Sequence, residues 1–214
     1  MPHGWIVALL AVVARAQEIE LSTVDTELLE LCLSKKVAEN PERARELIEQ
    51  GANASVVDQY KYSGVMWTVV RHRPSVLDVL LEHGADTEAI NTWGRNALFL
   101  AAWEGDIRPV RTLLAHGADP NSGAEHDGWT ALHKAAEMGH LDIVRALIEA
   151  SANVTTLTLG GINDKNHPNG ILPIELALRG KHEAIVELLK EHGAQIPGTM
   201  LARGEGRGDA KDEV

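Results

Sequence analysis

Ten histidines are the residues of this 214-residue chain best suited to hold a metal or move a proton. Three of them, His83, His116 and His192, share one register, each directly before a glycine. Zinc needs imidazole nitrogens converging on one point at about 2 Å. Residues at one register of successive packed layers would stand about 10 Å apart, so these three read as helix C-terminal residues favoured by the dipole. The sequence holds no HExxH pair, no phosphate-cradling glycine loop and no Ser-His-Asp set. Cys32 stands alone, which excludes an internal disulfide framework, and Leu28, Leu29, Leu31 and Leu33 around it mark a buried helix face. The residues therefore point to no catalysis, no metal and no cofactor.

The other chemistry on offer is recognition. Aromatic residues make up only 4% of the chain, yet Tyr60, Tyr62, Trp93, Trp103 and Trp129 crowd into its middle. Trp, Tyr and Arg dominate protein-binding hot spots because they bury much area while fixing few torsions. Whether these rings can reach a partner depends on the elements that carry them.

One stretch, Asp127 to Val154, forms a complete structural unit. Gly128 suits a turn with positive φ, Thr130 is an N-cap, and Ala131 to Met138 is a short helix with Leu132, Ala135 and Ala136 on one side. Gly139 ends it as a left-handed cap, and Leu141 to Ala150 is a second helix with Ile143, Val144, Leu147 and Ile148 recurring on one face. Isolated helices shorter than roughly 12 to 15 residues are marginal in water, so the unit must stack on copies of itself. Those copies are present. Gly94, Leu98, Ala101, Ala102, Gly105, Leu113 and Gly117-Ala118-Asp119 hold the same places at an offset of 34, and Val65, Leu80 and Gly84-Ala85-Asp86 hold them 33 residues earlier still. Leu47, Ile48 and Gly51-Ala52-Asn53 mark a first copy, and Gly170, Pro173, Ile174, Ala177, Ile185 and Leu189 a last one 42 residues after the template.

The run from Gly128 to Ile148 resembles an ankyrin repeat, and the LLEHGAD and LLAHGAD endings are similar to that family's junction between helix and finger. The resemblance covers about Thr26 to Pro197. It implies an all-α solenoid of stacked helix-turn-helix units with finger loops. Five repeats fall at about 26–58, 59–91, 92–124, 125–157 and 167–197, with an inserted loop at 155–169. The first opens with a helix from Thr26 to Lys36, in the manner of an end cap. The second departs most: Lys61 stands where the turn glycine belongs, Thr68 and Val69 replace two alanines, and His72 replaces a helix-ending glycine. Ser151 also replaces a left-handed glycine, at a cost of about 1 kcal/mol. His133 matches a family position tied into the hydrogen bonds between repeats.

On this template the residues around the hairpin glycine, and the two after the Ala-Ala pair, project toward the concave side where such proteins grip a partner. They are Gln59, Tyr60, Tyr62, Val70 and Arg71, then Thr92, Trp93, Arg95, Trp103 and Glu104, then His126, Asp127, Trp129, Glu137 and Met138. The partner-binding set expected among them is Tyr60, Tyr62, Arg71, Trp93, Arg95, Trp103, Glu104, Trp129, Glu137 and Met138. The scaffold alternative has Trp93 and Trp129 folded onto adjacent hairpins and Trp103 lying along its helix stack. Trp67 is expected to be partly core.

Net charge is −11 and uneven. Met1 to Asp58 carries five basic and ten acidic residues, Tyr60 to Arg111 six and six, and Thr112 to Val214 nine and fifteen. That field opposes nucleic acid and suits a protein partner met by a balanced centre with acidic flanks. A monomer is expected. Residues 1–16 hold ten apolar residues, Trp5 to Ala14, too few to span a bilayer, before the small-x-small triplet Ala14-Arg15-Ala16. A cleaved signal peptide and an apolar helix capping the first repeat both stay open, with 17–25 as linker, and so do secretory and cytoplasmic locations. Asn53-Ala54-Ser55 and Asn153-Val154-Thr155 are possible N-glycosylation sequons. Thr155 to Asn169 is an insertion whose alternation of Thr155, Leu157 and Leu159 with Thr156 and Thr158 suits an elongated hairpin. The 198–214 tail is expected to be disordered. It ends in Lys211-Asp212-Glu213-Val214, similar to an ER-retention tetrapeptide or a PDZ ligand, and contains Arg207-Gly208-Asp209.

These observations point to a non-catalytic adaptor that binds a protein through the concave face and finger loops of repeats 2 to 4. Two alternatives stand beside it: a secretory-pathway or targeting factor whose termini carry the function, and a regulatory subunit of an enzyme complex.

Overall fold

The computed structural model describes residues 21–35, 38–123, 127–159 and 170–196. Among these residues are ten helices and no strand beyond isolated bridges. They are α1 (Thr23–Leu33), α2 (Pro41–Glu49), α3 (Gly64–Val70), α4 (Pro74–Glu82), α5 (Ala97–Glu104), α6 (Ile107–Ala115), α7 (Ala131–Met138), α8 (Leu141–Glu149), α9 (Pro173–Arg179) and α10 (Glu183–Glu191). Each odd-numbered helix packs against the even one that follows it, the odd helices stack in a row, and the even helices stack in a second row behind. One apolar cluster runs through every layer, from Leu28 to Ala194. None of these helices is long enough to hold itself together in water, so the shared seam is what makes them helical.

Start signals fall where side chains can satisfy the free N–H groups. Asn40 accepts from Arg43 N–H at 3.0 Å, with Pro41 opening α2, and Asn96 accepts from Phe99 N–H at 2.9 Å. Pro74 opens α4 in the same way, and Pro109 sits in the first turn of α6 without breaking it. The first helix differs from expectation. It begins at Thr23, not Thr26, because the Ser22 hydroxyl accepts from Asp25 N–H while the Asp25 carboxylate accepts from Ser22 N–H, a capping box. Val24, four residues before Leu28 and packed on the core cluster, carries the apolar face into that turn. The helix ends at Leu33, and the end of the 17–25 linker is therefore helical.

Lys61 (φ 58°), His72 (φ 53°) and Ser151 (φ 69°) do adopt left-handed backbone in the places where the template has glycine. A fourth such residue, Lys181 (φ 58°), stands at the register of Gly139, while its neighbour Gly180 is right-handed. The fingers are laced to one another by one side chain per layer. Asp25 accepts from Asn53 N–H (2.7 Å), Ser55 from Asp86 N–H (2.9 Å), Glu88 from Asp119 N–H (3.0 Å) and Asn121 from Asn153 N–H (2.7 Å). At the insertion, Thr158 N–H reaches Ile171 C=O at 3.1 Å, and Ile171 N–H returns to the Thr158 hydroxyl at 2.9 Å. These arms meet without forming a strand among the described residues. The tip, residues 1–16, His126 and the 198–214 tail all lie outside the described residues.

Candidate protein-binding site

The site is built from the hairpins between layers. In the hairpin before α3, the Asp58 carboxylate is 4% exposed and points inward. One of its oxygens accepts from the N–H groups of Tyr60 (2.8 Å) and Tyr62 (2.9 Å), the other from the Trp67 indole (3.1 Å). The next hairpin repeats the device with Asn91, whose side-chain oxygen accepts from Trp93 N–H and Arg95 N–H, both at 3.0 Å. Folding these side chains inward turns the intervening rings outward. Tyr60 N–H and Tyr62 N–H are thus spent on the scaffold; the Tyr60 ring stands exposed, whereas the Tyr62 ring is half-buried against the core.

Two clusters of rings result. In the first, Tyr62 lies 4.9 Å from Trp67 and 5.9 Å edge-on from Trp93, and Trp93 lies 6.2 Å from Tyr60. These are offset and tilted distances typical of aromatic pairs. Arg71 caps this group, its guanidinium 5.0 Å from the Trp67 ring while Nε donates to Leu33 C=O at 2.8 Å. Burial pushes the Tyr62 phenol above its usual range, and the Asp58 charge adds to that. In the second cluster the Lys134 ammonium sits between two indoles, 4.7 Å from Trp103 and 4.8 Å from Trp129, and bonds Glu137 at 2.5 Å. Phe99 meets Trp103 edge-on at 6.2 Å, and Arg95 lies 4.4 Å over Phe99 while gripping Asp127 with both Nη groups at 2.9 and 2.6 Å.

The expected site residues therefore divide. Trp93 (56%), Trp103 (49%), Tyr60 (49%) and Met138 (44%) are exposed. Tyr62, Arg71, Trp129 and Glu137 are half-buried, and Glu104 is exposed within 3.9 Å of His72, which stands equally far from Asp106. Arg95 is less available than the template suggested because Asp127 holds it. Asn53 and Asn153 are both exposed. Trp67 is half-buried, as its place one turn earlier implied. Sequence reasoning missed Phe99 and Lys134, which join the rings across layers. The spacing of Lys134 and Glu137 at i,i+3 under Trp103's register was the available signal.

Histidine chemistry resolves into structure. His133 is fully buried, with Nδ1 accepting from the Thr130 hydroxyl (2.8 Å) and Thr130 N–H (3.2 Å) and Nε2 donating to Ile171 C=O (3.1 Å). Only the neutral ring with its proton on Nε2 satisfies all three. Burial pulls its pKa down to about 4 against the opposing carbonyl bonds. Glu175 fills the same place in α9, accepting from Leu172 N–H. His83 and His192 turn Nδ1 to the carbonyl four residues back at the end of their helices. Among the described residues no cluster could hold a metal ion, and no helix is long and apolar enough to cross a membrane.

A sequence profile described as ankyrin repeats (3 copies) matches residues 31–124 and 121–199. The chain is an ankyrin-repeat protein. It is 33% identical over 131 residues to the ankyrin repeat protein nuc-2 of Neurospora crassa, which covers 61% of this chain but only 11% of that protein. It is 30% identical over 158 residues to cyclin-dependent kinase inhibitor 2A of Monodelphis domestica, covering 71% of this chain and 86% of that protein. A tyrosine-protein kinase of Hydra vulgaris, HTK16, is 25% identical over 184 residues, 84% of this chain and 23% of that protein. Ankyrin repeats are in general protein-interaction modules without catalysis, and the kinase and methyltransferase names among the relatives belong to larger proteins with further parts.

Proposed function

We propose that this ankyrin-repeat chain is a non-catalytic adaptor that grips a protein partner with the concave side and fingers of its second to fourth repeats, using Tyr60, Trp93, Trp103, Trp129 and Met138 as anchors. The observation that carries the reading is the run of half-exposed rings from Tyr60 to Trp129 on a scaffold already fixed by buried hydrogen bonds. Their backbones are held before a partner arrives, so little ordering entropy opposes binding. The acidic flanks would disfavour misdocked orientations of the partner, while the balanced centre is the part that desolvates.

Affinity capture from lysate with wild type and with Trp93→Ala/Trp103→Ala, read by quantitative mass spectrometry, tests this. The reading requires a set of proteins enriched by wild type and lost from the double variant. Equal capture by both would refute it. A cyclin-dependent kinase belongs among the purified baits, since one relative covered over most of its length is named as an inhibitor of such kinases. Binding there would make the adaptor a regulatory subunit.

A further inference from the structure

We propose that the end of this surface built by the second helix pair takes an acidic segment of the partner; the inference rests on the protein-binding reading above and names the chemistry of what binds. The cations along the surface fall into two groups. In the third and fourth pairs Arg95 is met by Asp127, Lys134 by Glu137 and Arg108 by Asp106. At the second pair, Lys61 and Arg71 meet no carboxylate among the described residues. Lys61 stands exposed at the hairpin tip between Tyr60 and Tyr62. Arg71 gives Nε to Leu33 C=O and lies over Trp67, which leaves most of its five donors unspent.

The hairpin's own acid is turned away. Asp58 is buried, its oxygens occupied by the Tyr60 and Tyr62 amides and the Trp67 indole. A row runs from Arg71 through the half-buried Trp67 and Tyr62 to the exposed Trp93 and Tyr60, with neighbours 4.9 to 6.2 Å apart. One carboxylate of the segment can pair with the planar guanidinium of Arg71 and another with the ammonium of Lys61 at the far end of α3, while an apolar side chain between them lies on Trp93 and Tyr60. The chain's net charge of −11 repels an acidic partner at a distance. At physiological salt the screening length is about 8 Å, so the local cations decide once the surfaces meet. A basic segment would instead confront Lys61 and Arg71 directly. A nucleic acid would extend beyond two cations into the acidic flanks.

The test is selection of a random peptide display library on the full-length wild type, on Lys61→Glu, on Arg71→Glu and on Trp93→Ala. Wild type should enrich peptides that combine Asp or Glu with apolar or aromatic residues. A synthesised peptide from that set should bind Lys61→Glu about tenfold more weakly, recover with Lys61→Arg, and weaken as sodium chloride rises. Lys61→Glu is the decisive variant, because glutamate is no more strained than lysine at φ 58° and the side chain is exposed. Arg71→Glu also loses the bond to Leu33, so its helical signal is read alongside. No enrichment, or acidic peptides that bind Lys61→Glu as tightly as wild type, overturns the proposal. Neutral or basic peptides lost with Trp93→Ala overturn the acidic occupant and leave the binding side standing, whereas peptides indifferent to Trp93→Ala overturn both. Acidic peptides that bind only after Glu205, Asp209, Asp212 and Glu213 are replaced by amides would make this chain's own tail the occupant, against the proposal. A fluorescent oligothymidylate held by wild type and released by Lys61→Glu would likewise reassign the surface to nucleic acid.

Discussion

The second helix pair, α3 with α4, and the fourth, α7 with α8, follow one backbone plan with different residues. Although Ser151 (φ 69°) takes the left-handed place after α8, the fourth has glycine at the two earlier ones, Gly128 (φ 68°) and Gly139 (φ 82°), and a capping box of Thr130 with His133. The second has Lys61 and His72 there, and Ser63 caps Met66 N–H with no histidine to answer it. Left-handed backbone costs a non-glycine residue roughly 1 to 2 kcal/mol, yet both residues adopt it. The layers on either side dictate the path of the second pair, and its own residues comply. The departures also change its outer surface, where Tyr60, Lys61 and Arg71 stand at the places held by Asp127, Gly128 and Met138 in the fourth.

If neighbouring layers set the backbone, matched core deletions in the two pairs should cost alike. Leu147→Ala and Leu80→Ala both remove fully buried side chains at one register, and each should lower unfolding free energy by about 2 to 5 kcal/mol in denaturant melts. A much smaller loss at Leu80 would mean that the second pair is not locked into the stack.

A difference between the pairs should appear with pH. Burial holds the His133 pKa at about 4, below the roughly 6.5 of an unfolded histidine. Because the folded value is the lower one, this site contributes stability above pH ~6.5 and loses it as pH falls from there toward 4, by up to about 3 kcal/mol. His133→Met, which copies Met66 of the second pair, should flatten that window in melts across pH; an unchanged slope would show that other groups carry it.

Exchanging glycines between the pairs gives effects of opposite sign. Gly139→Ala would place a methyl group 2.5 Å from the His182 ring at φ 82° and should cost about 2 kcal/mol. His72→Gly should stabilise by about 1 kcal/mol. Destabilisation by His72→Gly would show that the close approach of His72 to Glu104 and Asp106 outweighs backbone strain. The smallest effect on stability belongs to Trp93→Ala/Trp103→Ala, which should leave the melting temperature near wild type, since both rings are about half exposed. Unfolding of that variant would return the rings to the scaffold.

Ser151 apart, the fourth pair could be read almost residue by residue, because the glycines and the cap around α7 agree with the apolar faces of both helices. Lys61, His72 and Ser151 were legible only as departures from the glycines of the repeat pattern, and Lys181 went unread, its repeat having a glycine one place earlier at Gly180. Local sequence likewise gave the rings but not their company. Arg95 to Asp127 and Lys134 to Trp103 are contacts between layers more than 30 residues apart in chain order, set by how the layers stack. The start of α1 was placed three residues late although Ser22 with Asp25 has the form of a cap and Val24 stands on the apolar face with Leu28.

Which side of the solenoid meets the partner can be measured by photo-crosslinking, with benzoylphenylalanine placed either at Trp103, beside the rings, or at Arg111, exposed on the rear row of helices. Crosslinked adducts from position 103 and none from position 111 are the predicted result. Adducts from 111 alone would contradict it.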